Sequence, residues 1–182
     1  MALRAIVPSS GGGGEVNFAT ADPTTGIVVD FLDGFEGDYK NHEFAFGGVQ
    51  YDTNNRYLGF HVSIDGGSNW ITSGYEYNIL QMTAGPTKRT GTANWGYLHY
   101  NTVGNGTNEF VSGELLILNN QDDGLLKRAL VRSSYAISGG NDYEDVGGVI
   151  IPTTSPINAV RIGDVWLGST NFSRGHIAHR RF

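Results

Sequence analysis

Along most of this chain apolar residues recur at every second position, and glycine pairs and triplets break the runs. In Leu58-Gly-Phe-His-Val-Ser-Ile64 the even positions are apolar and the odd ones small or polar. That is the pattern of a strand with one buried face. The same spacing links Ile27, Val29 and Phe31, then Phe44 and Phe46, then Val160 and Ile162. Leu115-Leu-Ile-Leu118 is apolar at each position, which suits a central strand covered on both sides. Asp65-Gly-Gly, Gly104-Asn-Gly, Asp123-Gly, Gly139-Gly-Asn and Gly147-Gly punctuate the runs with turn chemistry. The pattern predicts strands near 16–18, 26–32, 42–49, 57–64, 69–73, 96–100, 112–118, 129–137, 149–151, 159–166 and 175–179. Tyr75–Met82 and Gln121–Lys127 are the two stretches with room for a helical turn. The expectation is an all-β protein, an antiparallel β-sandwich of jelly-roll type. One domain spans 15–182, behind a short flexible Gly-rich arm at 1–14.

Within this frame, Val62 to Trp70 reads as a β-hairpin turning at Asp65-Gly-Gly, with Asp65 hydrogen-bonding its own turn. The 182 residues contain no cysteine, which removes disulfides, thiolate nucleophiles and Cys-ligated zinc. No run approaches the ~18 apolar residues of a membrane helix, and the opening residues are too short in apolar run for a signal peptide. Neither membrane insertion nor standard secretion is expected.

The formal charge is −6, which opposes non-specific binding to nucleic acid. Its distribution is uneven: residues 1–85 hold Arg4, Lys40 and Arg56 against ten carboxylates. At the other end, Arg174, Arg180 and Arg181 lie close to His176 and His179. A basic end of this kind reads as an ordinary solvated terminus or as a match for an acidic edge on a neighbouring subunit. In the arm, Leu3, Ile6 and Val7 are apolar residues that would add to a sheet edge in a neighbour.

Catalytic patterns are scarce. Neither Gly-x-Ser-x-Gly nor His-Glu-x-x-His occurs. His176 and His179, three apart on a strand, would face opposite ways and share no metal. Glu109 and Glu114 would lie ~16 Å apart in extended chain, too far for a glycosidase pair. Asn141 to Asp145 reads as a solvated acidic loop. No catalytic residue, cofactor or metal ligand is expected. Aromatic residues are plentiful, and Trp95, Tyr97 and Tyr100 cluster in one short segment. Flat rings of this kind pack in a chain's own core, stack on sugars or fill subunit interfaces, and Trp166 is expected in the core.

Several segments together resemble a group of small β-sandwich proteins from tailed-bacteriophage particles. They are Glu15-Val-Asn-Phe18, Tyr39 to Val49, Leu58 to Trp70, Val111-Ser-Gly-Glu-Leu-Leu-Ile-Leu118, Ile157 to Ile162, and Asn171-Phe-Ser-Arg-Gly-His-Ile177. They occur in the family's order, and the end departs from its pattern as Ala178-His-Arg-Arg-Phe182. The resemblance implies a non-catalytic virion protein made in the host cytoplasm and placed on the particle surface. Capsid decoration (cement) is the leading role, with a tail-fibre, receptor-binding or glycan-binding module as the alternative. It also implies a homotrimer that contacts the major capsid protein or other virion subunits.

Overall fold

A computed structural model describes residues 3–4, 19–21, 26–36, 39–83, 85–164 and 170–182. Thirteen strands follow one another: β1 (Leu3–Arg4), β2 (Ala19–Ala21), β3 (Val28–Phe31), β4 (His42–Tyr51), β5 (Leu58–Ser63), β6 (Tyr75–Met82), β7 (Thr87–Ala93), β8 (Gly96–Tyr97), β9 (Val111–Leu118), β10 (Lys127–Ala136), β11 (Asp142–Ile151), β12 (Ala159–Asp164) and β13 (Phe172–Arg181). They build a five-stranded sheet in the order β1-β3-β12-β5-β8 and an eight-stranded sheet in the order β2-β13-β4-β9-β10-β11-β6-β7. Every pairing is antiparallel except β1 with β3. The molecule is an all-β sandwich.

Alternation decides which face is buried. Along β10, Ala129, Val131, Ser133 and Tyr135 are buried, while Arg128, Leu130, Arg132 and Ser134 are exposed. The inward faces of the two sheets supply one core, in which Phe31 meets Phe44 edge-on at 5.1 Å and Phe60 meets Tyr75 at 5.8 Å. The Asp65-Gly-Gly turn forms as expected, with Gly66 and Gly67 at φ 71° and 85°. The Asp65 carboxylate accepts from Asn69 N (2.8 Å), Asn69 Nδ2 (2.6 Å) and Ser63 Oγ (2.7 Å), which pulls its pKa down to about 2.

Four expectations are corrected. Tyr75–Met82 is a strand rather than a helical turn. Its period is blurred because Leu80 is apolar on the exposed face, while Gln81 is polar on the buried face and donates to Tyr135 Oη at 2.7 Å. Gln121–Lys127 forms turns rather than a helical turn, tied down where Asn120 N–H donates to Lys40 O and Gln121 Nε2 to Phe35 O. Residues 69–73 return beside β5 through a single Ile71 N–H to Val62 O bond, and the chain then leaves for the other sheet. Asn141–Asp145 is not a solvated loop, because β11 begins at Asp142 and Asp145 is fully buried. β7, Thr87-Lys-Arg-Thr-Gly-Thr-Ala93, has no large apolar residue to mark it and is held at the edge by β6.

The outer side of the five-stranded sheet carries a compact polar lock. Arg161 grips Asp30 through two bonds, Nε to Oδ1 at 2.7 Å and Nη2 to Oδ2 at 2.8 Å, and lies 4.3 Å over the Trp70 ring. Hydrogen bonds to charged groups each contribute roughly 1.5–3 kcal/mol, so Arg161→Ala should cost about 2 kcal/mol, read as a lower urea midpoint. Arg161→Lys should recover little of it, because an ammonium cannot reproduce the planar two-pronged contact. Full recovery with lysine would reduce the lock to a simple charge pair.

Candidate functional site

Three of the residues singled out in the sequence converge. β8 pairs with β5 at the sheet edge, where Gly96 is needed because a Cβ there would overlap the Phe60 ring. This places Tyr97 4.9 Å from Tyr77, 5.6 Å from Trp95, 5.7 Å from Tyr100 and 6.0 Å from Tyr57, ring centre to ring centre. Arg89 of β7 adds a guanidinium 5.0 Å from the Tyr100 ring. Tyr57, Tyr77 and Arg89 escaped the sequence reading because they come from separate strands and loops. The rings are half-buried and meet largely edge-to-face or tilted. Desolvation, reinforced by neighbouring phenols, pushes Tyr97 up to about 12, so its hydroxyl is neutral and able to donate.

Behind the cluster lies a buried polar network. Asp145 Oδ2 accepts from Tyr100 N–H and from Tyr135 Oη at 3.1 Å; Tyr135 Oη in turn accepts from Gln81 Nε2 and from Asn101 N–H at 3.2 Å. Desolvation pushes the Asp145 pKa up, against those same donors. His99 Nε2 accepts from Leu58 N–H at 2.8 Å, so its proton sits on Nδ1 and goes to Asn101 O. These bonds run within the chain and hold loop 98–103 against the large sheet.

The C-terminal arginines disperse instead of forming one patch. Arg174 donates to Thr107 O at 2.7 Å and lies 5.6 Å over Phe110; Arg180 faces Glu43 at 3.7 Å; Arg181 faces Glu36 at 3.5 Å and lies 4.5 Å over Tyr39. Leu3 does add to a sheet edge, but to β3 of its own chain, opposite Val29. Ile6, Val7 and Trp166 lie outside the described residues. As alternation demands, His179 is buried and His176 exposed on the same strand. Glu109 is a loop staple, its carboxylate accepting from Gly106 N at 2.7 Å and Gly139 N at 3.0 Å, whereas Glu114 is exposed on the open sheet face.

That open face is the largest feature the sequence reading missed. On the side of the eight-stranded sheet away from the core, shallow depressions of about 480, 370, 320 and 390 Å³ follow one another along β9, β10 and β11. Neighbouring depressions share Ser134 and Glu144, then Glu114 and Arg132. One end mixes Asn108, Asp142 and Glu144 with Met82, Phe110 and Tyr143; the other is mostly apolar, with Leu116, Leu130, Val146, Phe182, Leu125 and Leu126. Of the eight large apolar side chains exposed among the described residues, only Ile64 lies away from this surface. Leu125 and Leu126 stand 62% and 53% exposed on a loop fastened at its base. No protein-family model, curated protein or solved structure matches the chain.

Proposed function

We propose that this protein is a non-catalytic structural subunit of a tailed-bacteriophage particle, a capsid decoration (cement) protein with a jelly-roll-like sandwich. The observation that carries the reading is the open sheet face. It is a broad, partly apolar surface on a scaffold whose backbone is hydrogen-bonded across the sheet, and exposed apolar area of this kind marks protein contact. The family-like segments also coincide with structure, since Tyr39–Val49, Leu58–Trp70, Val111–Leu118, Ile157–Ile162 and Asn171–Ile177 contain most of β4, β5, β9, β12 and β13. A cement protein that binds only the assembled shell stabilises it by mass action. Purified protein mixed with phage heads lacking it should co-sediment with them and raise their resistance to heat or chelator. Heads that neither retain the protein nor gain resistance would overturn the assignment.

The alternative, a receptor-binding or glycan-binding module, draws on the convergence of Trp95, Tyr97 and Tyr100 with Tyr57 and Tyr77. On that reading Trp95→Ala with Tyr97→Ala abolishes binding to host envelopes and leaves the fold intact. Loss of folding in that double variant would assign the rings to structural packing.

A further inference from the structure

We infer that the open face of the eight-stranded sheet is a self-association surface, on which a second copy of this chain stacks about a two-fold axis. This gives to a second copy the face on which the virion reading rests a capsid contact, and three observations on that face argue for the copy.

The first is size. The five strands from β4 to β6, at ~4.8 Å spacing, are ~24 Å wide, and ten residues of β10 run ~34 Å. The product is roughly 800 Å² per copy, the share one partner contributes to a standard stable interface.

The second is charge. The face carries Arg128, Arg132, Arg180 and Lys88 alongside Glu43, Glu76, Glu114 and Glu144, and cross-strand register already sets Arg132 opposite Glu114 and Arg180 opposite Glu43. Asp142 adds a fifth carboxylate, so from β13 to β7 the two signs nearly balance, and a second copy brings cations to the carboxylates as well as carboxylates to the cations.

The third is relief. Register aligns two outward rows. One reads Arg180, Glu43, Leu116, Leu130, Gly148 and Asn78; the next reads Ala178, Ala45, Glu114, Arg132, Val146 and Leu80. On three strands a large residue therefore stands two positions from a small one: Arg180 from Ala178, Glu43 from Ala45, and Val146 from Gly148. A two-fold axis in the plane of the face, crossing β10 between Leu130 and Arg132, exchanges the rows. It sets Val146 over the partner's Gly148 and Glu43 over the partner's Ala45. Side chains of one sheet then enter the gaps of the other, as in any aligned stack of sheets. An isologous face of this kind closes at two copies, in contrast to the three-fold assembly the family resemblance implies.

The test is the mass of the full chain in solution by sedimentation equilibrium, with two variants chosen to spare the monomer. Leu130→Lys replaces a half-exposed leucine. Gly148→Val adds a Cβ whose nearest neighbour, Ala129 O, is at an ordinary 3.6 Å. The unaltered protein is expected to be a dimer at about 100 µM, given that interfaces of this size bind at micromolar affinity or tighter. Each variant should weaken the dimer at least tenfold while keeping the circular-dichroism spectrum and melting temperature of the parent. A chain that stays monomeric at that concentration, forms a three-copy species, or dimerises equally well in both variants overturns the inference. So does a monomer whose Leu130 region gains hydrogen-exchange protection only on phage heads, which would give the face to a different protein. Head binding by a variant that has lost its dimer keeps the virion reading separable from this one.

Discussion

Lowering the pH from 7 to 4.5 should remove roughly 6 kcal/mol of stability, because three buried histidines are held neutral at about 2 kcal/mol each and a pKa unit is worth ~1.4 kcal/mol. Two of them share a hydrogen bond. Ile157 fixes the Asn120 amide, its N–H donating to Oδ1 and its carbonyl accepting from Nδ2, both at 2.7 Å. Asn120 Nδ2 therefore faces His42 Nε2 as a donor at 3.3 Å, and His42 Nδ1–H donates to His179 Nε2 at 3.0 Å. Phe35 stacks on both rings, at 4.6 and 5.0 Å, and Phe44 on His179 at 4.5 Å. Neither ring has a place for a second proton.

Desolvation, with Arg181 adding repulsion and Glu36 opposing it, lowers His42 to about 4. Desolvation, then His42 and Arg181, lowers His179 to about 3, and desolvation against the Asn101 carbonyl lowers His99 to about 4. The folded state thus binds fewer protons than the unfolded chain, and stability is lost as pH falls below about 6.5 toward those values. Asp145 works the other way, since a carboxyl with a raised pKa favours the fold when protonated, but it is one group against these three and His61, whose pKa desolvation also lowers. Total stabilities of 5–15 kcal/mol are typical, so unfolding near pH 4 to 4.5 is expected. Urea midpoints at pH 7.5, 6 and 5 would measure it. Equal midpoints, or ring protons of His42 and His179 titrating near 6.5, would remove the explanation.

Gly113→Ala should be the most damaging added methyl group among the described glycines, costing about 4 kcal/mol or preventing folding, at the upper end for point changes. Gly113 sits in β9 between Phe46 of β4 and Ser133 of β10. A Cβ there would overlap the Arg132 carbonyl oxygen, stand 2.7 Å from Ser133 Cα and 2.9 Å from the Phe46 ring. Two of these are backbone atoms of a central strand and cannot move alone. Gly148→Ala, two strands further on in β11, meets nothing closer than 3.6 Å and should leave the melting temperature unchanged or raised. Similar melts for the two variants would show that β9 and β10 can part more easily than their register suggests.

The two glycines look alike in the sequence; one lies against a neighbouring strand and the other opens to solvent. The same distinction runs through the fold. β5 and β12 were legible because inward apolar residues alternate there without interruption, and β9 from its unbroken run Leu115–Leu118, although that strand is not covered on both sides as expected: Leu116 and Leu118 lie on the open face. β6 was obscured by Leu80 on the outer face and Gln81 on the inner, and β7 by having no apolar face at all. Tyr97 was legible as a candidate beside Trp95, but its contacts with Tyr57 and Tyr77 were not, since no spacing in the chain encodes them.

Alternation in the chain determined by itself that this protein is made of strands and where most of them turn, because pleating and turn conformations depend on residues a few positions apart. Tertiary structure alone decided that β4 pairs with β13, that Asp145, His42 and His179 are deprived of water, and that seven exposed apolar residues share one surface. Each of those depends on which distant segment lies alongside, and burial and register are set by the packed sheets together.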